Sequence, residues 1–67
     1  MTIVRTRRAA VELERTRHGF VIVRNMQGEK LGHIELLDNG MWRNSINPVR
    51  TYTKQAAAIC NLQRLAK

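Results

Sequence analysis

The sequence predicts a two-layer α+β domain: a three- to four-stranded antiparallel sheet with one C-terminal helix packed on one face. Three observations predict it. Apolar and polar residues alternate with a period of two through much of residues 11–46, glycine-containing turns interrupt that alternation, and the spacing becomes helical after Thr53. A chain of 67 residues makes one domain, whose single core buries only about 60% of the unfolded surface. Residues 9–67 read as that domain, preceded by a basic arm over residues 1–8.

The arm, Met1-Thr2-Ile3-Val4-Arg5-Thr6-Arg7-Arg8, has two readings. Ile3-Val4 begins an edge strand, or the arginine-rich segment stays mobile until a partner orders it. Val11-Glu12-Leu13-Glu14-Arg15 alternates as a half-buried strand does, and Thr16-Arg17-His18-Gly19 supplies a turn. Phe20-Val21-Ile22-Val23 is an unbroken β-favouring run, expected near the sheet centre. If Val21 and Val23 face away from the helix, they leave an apolar stripe that wants a partner, and a second copy of the chain is one candidate for a homodimer. After the turn at residues 25–29, Leu31 to Leu36 alternates again. Asp38-Asn39-Gly40 then marks a hairpin, with Asn-Gly suited to a type I′ turn, and Met41 to Ile46 forms the last strand before Asn47-Pro48.

Thr53 is the expected N-cap of the helix, and the alanines after it have high helix propensity. At 100° per residue Gln55, Ala58, Ile59, Leu62, Leu65 and Ala66 share the side that covers the sheet, while Lys54, Ala57, Asn61 and Arg64 point away. Arg64 and Lys67 complement the helix dipole. The expected core is Val11, Leu13, Ile22, Ile34, Leu36, Trp42, Ile46, Ile59, Leu62 and Leu65, with Phe20 beside it.

Charge carries the functional reading. Twelve Lys+Arg against five Asp+Glu give a net charge of +7, and nine of the twelve bases are arginine. That side chain's planar fork suits phosphate and carboxylate. Positive charge gathers at the two ends: residues 1–24 are net +4, residues 25–40 net −2, and residues 41–67 carry five bases and no acid. Such a balance points to an anionic partner rather than to a fold. The residues expected to meet nucleic acid or an acidic partner are Arg5, Arg7, Arg8, Arg15, Arg17, Arg43, Arg50 and Lys54. Double-stranded DNA held by its backbone is the favoured partner, because Phe20 and Trp42 read as packing residues and leave only Tyr52 for base stacking.

No catalytic constellation stands out. His18 and His33 are separated by a turn and most of a strand, Cys60 lies on the helix, and no metal-ligand spacing such as Cys-x-x-Cys occurs. A non-enzymatic protein with no metal, no cofactor and no small-molecule substrate is expected. The lone Cys60 excludes an intrachain disulfide and fits a reducing compartment. With no apolar run near the roughly 18 residues of a membrane span and no secretory leader pattern at Met1–Arg8, the expected location is cytoplasmic.

At the level of topology, a hairpin ending in Asn39-Gly40-Met41-Trp42, followed by Thr51-Tyr52-Thr53-Lys54-Gln55-Ala56-Ala57 on a helix, is loosely similar to the sheet-plus-helix DNA-binding domains of tyrosine integrases and some plant transcription factors. The similarity spans about residues 39–58, and the same residues serve ordinary hairpin and capping needs, so it remains an analogy. Two functions are carried forward. One is a DNA-binding accessory or regulatory protein whose arginines grip phosphates. The other is a non-catalytic inhibitor or adaptor of the phage or mobile-element type, anti-defence proteins included, that engages an acidic or nucleic-acid-binding surface of another protein.

Overall fold

The computed structural model describes residues 2–66. Five strands follow in chain order: β1 (Thr2–Arg5), β2 (Ala10–Arg15), β3 (Phe20–Asn25), β4 (Lys30–Leu36) and β5 (Trp42–Asn44). The helix α1 (Gln55–Leu65) closes the chain. Each strand pairs antiparallel with the next, giving a meander of order β1-β2-β3-β4-β5. The α+β class holds, with one strand more than the three or four expected. The additional strand is β1, whose Thr2–Arg5 pairs with Ala10–Leu13 of β2. Of its residues Val4 packs against the core.

Register decides which side of the sheet meets the helix. Leu13 lies opposite Val23, and Val21 opposite Ile34. Val11, Leu13, Val23 and Ile34 are buried together with Ala58, Ile59 and Leu62 of α1. Val21 and Val23 therefore face the helix, and Ile22, expected in the core, takes the other side with Phe20. An unbroken apolar run has no internal marker of which alternate residues point inward. Only pairing with the clearly alternating Val11-Glu12-Leu13 sets the phase. Leu36, Ile46 and Leu65, also expected in the core, are 53%, 39% and 42% exposed. β5 ends at Asn44, before Ile46, and Leu65 lies in the last turn of the helix. Tyr52 fills part of the space instead: it is buried and forms an isolated antiparallel bridge with Trp42, through N–H to carbonyl bonds of 2.7 and 2.8 Å.

The β4–β5 loop is a three-residue loop rather than a type I′ turn. Gly40 N–H donates to the Leu37 carbonyl (2.9 Å) and Leu37 N–H to Met41 (2.8 Å). Within this loop Gly40 alone has positive φ (83°), since no non-glycine residue among those described does. This is a type I turn closed by a glycine bulge. The helix cap also differs from expectation. Lys54, not Thr53, occupies the N-cap, and no side chain caps it.

Asn44 ties the helix to β5. It is 2% exposed, and its Nδ2 donates to the Ala58 carbonyl (2.9 Å) and to Asn61 Oδ1 (3.2 Å), while its Oδ1 accepts from Asn47 N–H (2.8 Å). At its other end the helix is held to the β1–β2 turn by Gln63, whose side-chain carbonyl accepts from the Thr6 hydroxyl and whose Nε2 donates to the Ala9 carbonyl (3.1 Å). The helix thus crosses the sheet diagonally, from beside β5 to the turn that joins β1 and β2. Among the described residues no helix is long and apolar enough to cross a membrane.

Candidate anion-binding cleft

The two faces of the molecule differ in charge. On the sheet face opposite the helix, Glu12 lies across from Arg24, and Glu35 across from Arg43. Glu14 pairs with Arg24 at 3.4 Å, and Arg43 donates to Glu35 through both Nε and an NH₂ nitrogen. These are the two ion pairs among the described residues. The remaining acids, Glu29 and Asp38, stand at hairpin turns. Acids thus neutralise much of the open sheet face, and none lies between residues 39 and 66.

The helix side gathers arginines from three separate elements. A cleft of about 650 Å³ runs beside α1, lined by Arg7 from the β1–β2 turn, Arg50 from the loop after β5, and Arg64 from the last turn of the helix. Ala56, Ala57 and Cys60 form its apolar floor. Ala56, Cys60 and Arg64 recur at spacings of four on the helix surface, with Ala57 beside them, so one stripe presents floor and charge together. The Gln63 bonds to Thr6 and Ala9 bring the turn that carries Arg7 to the helix end that carries Arg64. Arg50 is positioned by Tyr52, with its guanidinium carbon 5.4 Å from the ring centroid, within cation–π range. Tyr52 also lines the cleft, and its hydroxyl is buried without a hydrogen-bond partner.

Of the eight expected contact residues, Arg7 and Arg50 meet in this cleft. Arg8 is exposed in the same turn as Arg7. Arg5 ends β1 on the open sheet face, and Arg43 is committed there to Glu35. Arg15 and Arg17 lie at the opposite end of the molecule, where β2 turns into β3, and Lys54 sits at the helix end distant from Arg64. Sequence reasoning assigned Arg64 to the helix dipole alone. Its spacing of eight from Ala56 and four from Cys60 was the available signal.

Phe20 is half-buried and packs outside the core cluster. It lies on the open face between His18 and His33, its ring centroid 6.0 and 4.7 Å from theirs. His18 stacks on Phe20 with 20° between ring planes, and His33 meets it tilted at 38°. Among the described residues no group of three or more His, Cys, Asp or Glu side chains is placed to hold a metal ion.

No family model, curated protein or solved structure matches the chain. The functional reading therefore rests on the arrangement of these side chains.

Proposed function

We propose that the protein is a non-catalytic nucleic-acid-binding protein, an accessory or regulatory factor acting in the cytoplasm, that holds duplex DNA by its phosphates. The observation that carries this reading is the convergence of Arg7, Arg50 and Arg64 on one open cleft that no acid lines. Guanidinium groups bind phosphate oxygens through paired charge-assisted hydrogen bonds, and these contacts position a protein on a duplex without reading its sequence. The scale suits that task. From Ala56 to Arg64 the helix rises about 12 Å, and a DNA strand presents a phosphate about every 3.4 Å of axis, so the helix side of the cleft spans three or four phosphates of one strand.

Cys60 in the cleft floor supplies the test. A random-sequence duplex at about 50 mM salt, where phosphate contacts are strongest, is expected to bind and to slow alkylation of the Cys60 thiol. Substituting Arg7, Arg50 and Arg64 together by alanine is expected to abolish both effects, whereas Arg43→Ala retains them. Binding that persists in the triple variant would move the interface elsewhere, and absence of binding to the wild-type chain would overturn the reading.

The apolar floor of Ala56, Ala57 and Cys60 favours the second reading, an inhibitor or adaptor whose partner is an acidic protein surface. Such a surface offers carboxylates to the arginines and aliphatic groups to the floor. Capture of one protein that survives nuclease treatment and is lost in the triple variant would select it.

A further inference from the structure

A helix crossing a five-stranded sheet on the diagonal leaves a corner of the sheet bare. The uncovered corner lies where β2 turns into β3, and the strands there form a partly open trough of about 330 Å³ on the helix side. Leu13 and Val21 floor it, and Val4, Leu36 and Trp42 wall it. These apolar side chains belong to the face that elsewhere lies under α1, and Leu36 is left 53% exposed. One charged group reaches the trough, Arg15, the last residue of β2. No acid lines it, and Arg15 takes part in neither ion pair of the described residues.

We propose that this trough binds a small amphiphilic carboxylate, with its apolar body against Leu13, Val21 and Trp42 and its carboxylate on the Arg15 guanidinium. The volume is near the lower end of the roughly 300–1,000 Å³ typical of small-molecule pockets, and the lining mixes apolar side chains with a few polar ones, here Thr2, Thr16 and Gln55 beside Arg15, as such sites do. Each part of the ligand follows from one part of the lining. The walls reward burial of hydrocarbon. The planar fork of arginine binds a carboxylate through two parallel hydrogen bonds and is more weakly hydrated than an ammonium group, so it gives up water readily at an apolar edge. A nucleic-acid backbone matches this lining poorly, because it presents a run of charges where the trough offers one cation among neutral side chains. None of the residues lining the trough lines the arginine cleft, so the two sites are separate and this proposal stands apart from the DNA-binding reading.

Trp42 makes the site observable, since it is the single tryptophan of the chain and stands in the trough wall. The experiment titrates the full chain with 10-bromodecanoate, whose bromine quenches indole fluorescence on contact, and with 10-bromodecanol, all below the concentrations at which they self-associate. Saturable quenching by the carboxylate is expected, with the alcohol at least about ten-fold weaker, the loss expected for one hydrogen-bonded charged group. Arg15 is exposed, so Arg15→Gln keeps the fold and is expected to bring the carboxylate down to the affinity of the alcohol. Non-saturating quenching would overturn the proposal, as would equal affinities for acid and alcohol, or a carboxylate affinity unchanged in Arg15→Gln. The triple substitution of Arg7, Arg50 and Arg64 is expected to leave the quenching intact, which separates failure of this site from failure of the cleft.

Discussion

Gly32 stands where β4 passes under the helix, with φ of 153°. A Cβ there would meet Ser45 Oγ at 2.6 Å and Leu62 Cδ1 at 2.8 Å. Ser45 is no idle neighbour: its hydroxyl accepts from His33 N–H at 3.0 Å and its own N–H donates to the His33 carbonyl at 2.9 Å. Leu62 is fully buried and has no room to retreat. Gly32→Ala is therefore expected to destabilise by about 1–3 kcal/mol, the usual cost of forcing an extra methyl into a packed core. In a chain of this size that is a large part of the total stability, and a urea denaturation curve reads it as a lower midpoint. An unchanged midpoint would mean that helix and sheet lie farther apart at this position. Asn44 illustrates the opposite case of a polar group that belongs in the core. Its amide is spent on Ala58, Asn61 and Asn47, so it brings the helix to β5 without leaving a polar atom unpaired.

At the scale of elements, β1 is the piece for which the sequence allows two readings, and the edge strand is the one found. It pairs with β2 over four residues and contributes Val4 to the core. Deleting residues 1–5 would expose the edge of β2 and uncover Val11, which is fully buried and lies opposite Val4. The truncated chain is expected to melt at a lower temperature and to show weaker β-sheet circular dichroism; a melting curve identical to that of the full chain would show that the sheet is complete without β1. How much of the fold the sequence makes legible depends on whether a segment carries its own phase. Val11-Glu12-Leu13-Glu14 alternates cleanly and reads correctly, and so does the helix stripe through Ala58, Ile59 and Leu62. Phe20-Val21-Ile22-Val23 carries no phase, so its inward residues are set by partners on other strands. Tyr52 belongs to no periodic segment, and only the bridge to Trp42 brings it inside. The candidate cleft was half legible. Arg7 and Arg50 are among the eight bases that the sequence points to, but their meeting with Arg64 depends on Gln63 bonding to a turn more than fifty residues earlier in the chain.

For the whole molecule, the net charge of +7 is a poor guide to how tightly it holds a polyanion, because the charge is unevenly placed. A duplex is a rod, and it meets one side of a small domain at a time. On the open sheet face Arg24 and Arg43 are paired with Glu14 and Glu35, and Glu12 adds further negative charge. On the helix side Arg7, Arg50 and Arg64 have no acid beside them in the cleft. Each phosphate neutralised on B-DNA releases condensed counterions and contributes about −0.9 to the slope of log K against log salt. Three arginines in one cleft therefore predict a slope of about −2.7 for random-sequence duplex, with each single change to alanine reducing its magnitude by about 1. Arg5→Ala and Arg43→Ala, on the opposite face, are expected to leave the slope unchanged. If the entire basic surface took part instead, the slope would be steeper and Arg5 and Arg43 would matter as much as Arg7 and Arg64. An acidic protein partner would give a third pattern, a shallow dependence set by screening, with one or two buried arginines dominating the affinity. Anisotropy titrations of the wild type and these five single variants between about 50 and 200 mM salt, a range over which phosphate contacts weaken strongly, distinguish the three. A slope that Arg7, Arg50 and Arg64 do not share would remove the cleft from the interface.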